Sequence, residues 1–234
     1  MRVQLIAWTE FNEYAAEALT GHEWENDPDA YLADSLAVFA GRNCYQSWGK
    51  PNPATAKTSD YLAHIIRQGH HSLFAHASAT FYIDSVSRAF LTELNTHHFL
   101  KGSTVSQRYV GPSKMGDPVI PPAIGPDSPA AAGIRAHYRS AVADYNYMVK
   151  MLIDEGAKPK AAREAARAVL PNCTPTKIVV TGNLLAWRDF LRKRWHVAAD
   201  AEMREVAGAI LDALRGYAPA SFQDFPGEPF GKVA

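Results

Sequence analysis

Residues 176–195 read TKIVVTGNLLAWRDFLRKRW. Thr176–Asn183 predicts a strand ending in a Gly182-Asn183 turn, and Leu184–Trp195 returns as a helix. One strand handed straight to one helix is the unit around which the rest arranges itself. Upstream, AAREAARAVL (161–170) is a short alanine-rich helix that stops before Pro171. Downstream, AEMREVAGAILDAL (201–214) is a final helix with Met203, Val206, Ala207, Ile210 and Leu214 inward. The strongest helix runs from Ile134 to Leu152. There Ile134, Tyr138, Ala141, Val142, Tyr145, Met148, Val149 and Leu152 form one apolar stripe. RVQLIA (2–7) and SATFYI (78–83) read as strands. SDYLAHIIRQGH (59–70) reads as a helix capped by Thr58 or Ser59 and ended near Gly69, and SRAFLTELNTHH (87–98) is helix-compatible. Helices and strands mix without regular βα alternation, which predicts an α+β fold.

The chain has 234 residues and 47% hydrophobic content, enough for one core and a single domain spanning 1–234. Lys+Arg and Asp+Glu are both 24, a balance that argues against charge-driven nucleic-acid binding. No apolar run spans a membrane and no signal peptide is evident, so a soluble cytoplasmic protein is expected. The two cysteines, Cys44 and Cys173, suit a reducing compartment and read as buried, inert thiols. The segment Gly111–Gly133 carries enough proline and glycine to deny it a long helix.

The candidate chemistry is polar but lacks a standard fingerprint. Nine histidines include the pairs His70-His71 and His97-His98, yet adjacent residues rarely chelate one ion, and no H-E-x-x-H or C-x-x-C occurs. No metal site is expected. Arg163 and Arg167 share a helix face, and Arg188, Arg192, Lys193 and Arg194 crowd another. They read either as solvated helix surfaces or as guanidinium forks for an anion or a planar polar ring.

Several segments, in order, carry a resemblance: VQLIAWTEF (3–11), GRNCYQSWGKPNP (41–53), YLAHIIRQGHHSLFAHASATFYI (61–83), SQRYV (106–110), AAREAARAVLPN (161–172) and IVVTGNLLAWRDFLRKR (178–194). Together they resemble the flavin-dependent thymidylate synthases (ThyX), over nearly the whole chain. That family's hallmark is Arg-His-Arg, seven residues, then Ser. Here the window reads Thr96-His97-His98, FLKGSTV, Ser106. The spacing, central histidine and serine are kept, and both arginines are gone.

The resemblance implies helices packed on a mainly antiparallel sheet, assembled as a homotetramer with sites between subunits. By position, Ser72, Thr96, His97, His98, Thr104, Asn183, Leu185 and Asp189 fall at FAD. Glu93, Thr104, Ser106, Gln107, Arg108, Arg167 and Arg194 fall at the nucleotide. Arg194 matches the catalytic arginine that polarises the uracil ring. The implied reaction is C5-methylation of a uracil nucleotide, with methylenetetrahydrofolate as carbon donor and NADPH-reduced FAD as hydride source. Thr96, His98, Ser103-Thr104 and Ala75 are smaller or less charged than is common in the family. In this the chain resembles the UMP/dUMP methylases of nucleoside-antibiotic (polyoxin-type) pathways, so UMP as well as dUMP is an expected substrate. Two rival readings stand beside this one: a catalytically silent paralogue binding FAD or nucleotide for regulation, and a metal-dependent hydrolase using the histidine pairs.

Overall fold

The computed structural model describes residues 1–21, 32–48 and 52–231. In chain order the elements are β1 (Arg2–Trp8), α1 (Glu13–Thr20), α2 (Leu32–Tyr45), α3 (Thr58–Arg67), β2 (Ser78–Ser87), α4 (Arg88–Leu94), β3 (Lys101–Thr104), α5 (Pro129–Asp154), α6 (Pro159–Ala166), β4 (Pro175–Asn183), α7 (Leu184–Arg194) and α8 (Ala201–Tyr217). The four strands form one sheet in the order β1-β2-β4-β3, every neighbouring pair antiparallel. The α+β expectation holds.

Alternation decides which face of the sheet is covered. Ala79, Phe81 and Ile83 of β2 and Ile178 and Val180 of β4 are buried, while the residues between them point outward. Helices α2, α3, α4, α7 and α8 contribute to the same buried cluster. The five residues predicted inward on α8 are all fully buried. Trp187 lies in this core, its indole N–H donating to Ala79 O at 3.0 Å and its ring edge-on to Phe81. Gly182 is needed where β4 meets the motif loop, because a Cβ there would lie 2.5 Å from Leu100 Cδ2.

Several local expectations are corrected. Gly182-Asn183 is no turn. The strand runs through Asn183, whose side chain accepts from Ala186 N and caps α7 directly. Helix α3 is preceded by Lys57, which makes no side-chain cap; Thr58 and Ser59 are already inside the helix. The alanine-rich helix ends at Ala166, and Arg167 begins a 3₁₀ turn. The last residues of the Pro/Gly segment belong to α5, which starts at Pro129 with Ser128 as its cap, since proline at the first helical position loses no bond. Cys44 is exposed rather than buried, while Cys173 is partly covered and burial pushes its thiol pKa up. Helix α5 buries only Tyr138, Ala141 and Tyr145 of its predicted stripe, and Tyr147, Met151 and Ile153 are exposed.

Candidate active site

The site is assembled where α4 ends against the C-terminus of α7. Ser87 caps α4 through Phe90 N at 3.0 Å. The same serine is gripped by Glu202 of α8, whose carboxylate accepts from Ser87 N at 2.7 Å and Ser87 Oγ at 2.6 Å. This buried contact fixes where α4 starts, and so where Glu93 emerges near its end. Past Leu94 the chain turns tightly: Thr96 N donates to Glu93 O and His97 N to Leu94 O, both at 3.1 Å. His97 is thereby tucked inside, edge-on to Phe190 of α7 with ring centroids 5.0 Å apart.

Arg194, the last residue of α7, reaches this turn. Its Nε donates to His97 Nε2 at 2.9 Å, Nη1 to Glu93 Oε2 at 2.7 Å and Nη2 to Thr96 Oγ1 at 3.2 Å. A guanidinium has five N–H groups. One remains on each terminal nitrogen, with only a 3.5 Å contact from Nη2 to Glu93 O as competition. His97 can accept from Arg194 only as the neutral ring protonated on Nδ1. Burial first, and the Arg194 charge second, push its pKa down from 6.5 to about 4.

That shift predicts an acid sensitivity. Between pH 6.5 and about 4 the unfolded chain holds a proton on this histidine and the folded chain does not. The unfolded state therefore binds more protons, and stability falls as pH falls through that window. At about 1.4 kcal/mol per pKa unit the loss is at most about 3.5 kcal/mol. Denaturant midpoints measured across the window should flatten in His97→Gln, which keeps an acceptor and cannot titrate. A profile of unchanged slope in that variant would clear His97 as the cause.

A second cluster surrounds the start of α4. Arg88 is half-buried; its Nη2 donates to Val105 O at 2.8 Å, and its Nε is buried without a partner among the described residues. Burial lowers its pKa, and the Arg167 charge lowers it further. The adjacent turn holds Ser106, Gln107 and Arg108: Arg108 N donates to Ser106 Oγ at 3.4 Å, and Arg108 pairs loosely with Glu164 at 3.8 Å. Arg88 escaped the sequence reading. A signal for it was present, because a cation in the first turn of a helix opposes the helix dipole and so marks a residue placed for something else.

The remaining predicted residues are spread out. Ser72 is exposed in the 3₁₀ turn His71–Ala75, beside the half-buried His71. His98 is exposed, and its carbonyl accepts from Lys101 Nζ at 3.4 Å. Asn183 is occupied as the cap of α7, Leu185 packs against the core, and Asp189 pairs with Lys193 at 2.7 Å. Asn183 lies eleven residues before Arg194, about 16 Å along the helix axis. The two ends of α7 therefore do not meet at one point in a single protomer.

Beside the motif a cavity of about 220 Å³ is lined by Leu94, Leu100, Ile178 and Val180 together with Asn95, His97, His98 and Lys101. Close by in sequence, Thr104 Oγ1 is buried with no partner among the described residues. The polar groups of this mixed lining can meet the polar edge of a flat ring system such as a flavin. The volume is below the roughly 300–1,000 Å³ of a complete ligand pocket. A larger hollow of about 410 Å³, between Met1, Ser85 and the 115–122 loop, contains none of the candidate residues.

Residues 29–220 match the family model described as thymidylate synthase complementing protein. The chain is 48% identical to the probable flavin-dependent thymidylate synthase of Mycobacterium phage L5, covering 98% of this chain and 99% of that one. The chain belongs to the flavin-dependent thymidylate synthase family. It is likewise 45% identical to the enzyme of Mycolicibacterium gilvum, over 96% of this chain and 90% of that one. Among solved structures it is similar to a UMP/dUMP methylase, PolB, from Streptomyces cacaoi, with TM-score 0.69, 20% identity and coverage of 97% and 95%. It is also similar to Thymidylate Synthase X from Helicobacter pylori with FAD and dUMP, with TM-score 0.66, 19% identity and coverage of 96% and 98%. At those identities the two structures establish a shared fold. As a member of this flavin-dependent family, the protein is an enzyme of the thymidylate synthase type. Among the described residues no helix is long and apolar enough to cross a membrane.

Proposed function

We propose that this chain, acting as one domain, methylates carbon 5 of the uracil ring of dUMP and also accepts UMP. The supporting observation is Arg194, held by three side chains, with one N–H of Nη1 left over and the second N–H of Nη2 only weakly engaged, 3.5 Å from Glu93 O. Those two groups present a fork to a uracil carbonyl and its N3. Charge accumulates there when N3 loses its proton, and a fixed cation lowers the cost of that anion. Carbon 5 then becomes the nucleophile, so no cysteine is required. Methylenetetrahydrofolate supplies the carbon and NADPH the reducing equivalents.

The second cluster serves the phosphate. Arg88 and Arg167 place two positive charges near each other, one with an unmet N–H, beside the Ser106–Arg108 turn. A phosphate dianion relieves that repulsion. Arg88 and Glu93 are about 7.5 Å apart along α4, on the scale of the reach from base to phosphate in one nucleotide.

FAD would be held at the 220 Å³ cavity by His98 and Lys101 on this side, with Ser72, Thr104, Asn183, Leu185 and Asp189 contributing elsewhere; bound there, it would supply hydride chemistry. The partial cavity, the separated ends of α7 and the exposed apolar face of α5 all favour sites built between protomers of a homotetramer. A cytoplasmic setting, where NADPH and folate are available, follows from this reading.

Acceptance of UMP rests on Thr96 and Thr104, short side chains that leave room for a 2′-hydroxyl. The test is turnover on dUMP and UMP at matched flavin occupancy, with NADPH and methylenetetrahydrofolate. Product from dUMP alone removes the UMP refinement. Bound flavin with no product from either nucleotide favours a silent, regulatory paralogue.

A further inference from the structure

We propose that Thr96 and His97 are positioning residues for Arg194, a clamp built from the two motif positions that a flavin-binding role would otherwise claim. This rests on the reading of Arg194 as the uracil-polarising group. The geometry is closed on itself. Thr96 Oγ1 donates its own proton to Glu93 O at 2.7 Å, which leaves its lone pairs for Arg194 Nη2 at 3.2 Å. Glu93 takes Nη1 at 2.7 Å, and His97 takes Nε at 2.9 Å. All three acceptors come from one five-residue stretch at the end of α4, itself locked to α8 through Ser87 and Glu202. An arginine in place of Thr96 would set a second guanidinium against the first. With threonine there, this position becomes an acceptor for Arg194.

The clamp has a chemical purpose. An arginine side chain carries rotamer freedom worth about 2 kcal/mol. Fixing its Nε–H and one N–H on each terminal nitrogen beforehand aims the free N–H of Nη1 and the weakly held one of Nη2, so little reorganisation remains when charge develops on the ring. Glu93 is the charged member of the trio; Thr96 and His97 are neutral acceptors toward Arg194, so they aim it without neutralising its charge. The charged or titratable groups around it are Arg194, Lys193 and Asp189 from α7 and His98 next in the chain. A clamp of this kind acts on the transition state more than on bound substrate, so its loss falls on kcat.

The experiment uses Thr96→Val, Thr96→Ser, His97→Phe and His97→Gln in the full-length, flavin-loaded protein. His97→Phe keeps the edge-on packing with Phe190 and removes the acceptor. We expect kcat to fall about 10-fold in Thr96→Val and about 30-fold in His97→Phe, with KM for dUMP changed less than threefold. The rising limb of the pH–rate profile moves to higher pH, because N3 must then lose its proton with less help. The hydroxyl of Thr96→Ser and the amide oxygen of His97→Gln recover most of the loss. The visible flavin spectrum and occupancy stay as in the parent. A loss in Thr96→Val that tracks flavin occupancy overturns the clamp, as do kcat and pH profile identical to the parent. The Arg194 Nε–H signal in a ¹⁵N-labelled protein, assigned with Arg194→Gln, gives a readout without turnover: it should shift in both disruptive variants, and an unmoved signal also overturns the proposal. A parent protein that methylates no uracil nucleotide while this signal moves in the variants removes the functional reading alone.

Discussion

Arg194→Gln lowers kcat for methylation of dUMP by about 100- to 1,000-fold, the scale of losing one preorganised donor to developing charge. Glutamine can satisfy one of the three acceptors that Arg194 now serves, but it brings no positive charge to the ring. Arg194→Lys falls nearly as far. A lysine is a point charge that cannot donate in three fixed directions to Glu93, His97 and Thr96 and still present a fork to a base. The residual rate in Arg194→Gln should climb with pH, since hydroxide-driven loss of the N3 proton replaces the missing cation. Steady-state kinetics at matched flavin occupancy decide the matter, and more than a tenth of the parent kcat remaining in Arg194→Gln would remove Arg194 from the catalytic role. Glu93 loses its charged partner in Arg194→Gln. It is partly exposed, so water compensates and the fold is little affected, which keeps a kinetic loss interpretable.

The parts of this molecule that were legible in the sequence are those where burial writes a period. Helix α8 repeats its apolar residues at helical spacing because one side faces the sheet, and β2 alternates because only one of its faces is covered. Strand β3 escaped because KGST is short and polar and pairs along one side only, so it leaves no apolar alternation. Asn183 was misread for a related reason. Glycine followed by asparagine signals a turn when strands flank it, yet the same asparagine is a preferred N-cap when a helix follows. Of the candidate site, the residues on α4, the motif turn and α7 could be named from resemblance, but their mutual contacts could not. Glu93 and Arg194 are 101 positions apart, and nothing local links them. Arg88 carries no periodic mark; its place in the first turn of α4 is the one local signal, and Val105 and Arg167 beside it supply its meaning.

The largest expected effect on stability lies away from the motif, on the same helix. Arg188 is almost wholly buried among Phe74, Phe222 and Phe225, with its guanidinium carbon 4.8, 6.0 and 5.1 Å from their ring centres. Its charge is met by Asp224, which accepts from Nη1 at 2.8 Å and Nη2 at 2.7 Å, and by the carbonyl of Ser221. Asp224→Ala leaves that cation in an apolar box without its counter-charge. Breaking one side of a buried pair costs about 3–5 kcal/mol, and for a chain of this size each kcal/mol lowers Tm by about 2–4 °C. A fall of roughly 10 °C is expected in a thermal melt. The exposed Arg192, 3.5 Å from the same carboxylate, contributes little to this sum. Arg188→Met should cost less than Asp224→Ala, because it removes the stranded charge and fills the phenylalanine box with an apolar side chain. The double variant should be no worse than Asp224→Ala alone, giving a coupling of 2 kcal/mol or more in a mutant cycle, on the order seen for groups in direct contact. Additive losses would mean that the pair is not what holds this region. Arg188 lies six residues before Arg194, about 9 Å along α7. The ion pair that ties the C-terminal segment to the core thus also fixes the axis along which the candidate catalytic arginine is aimed.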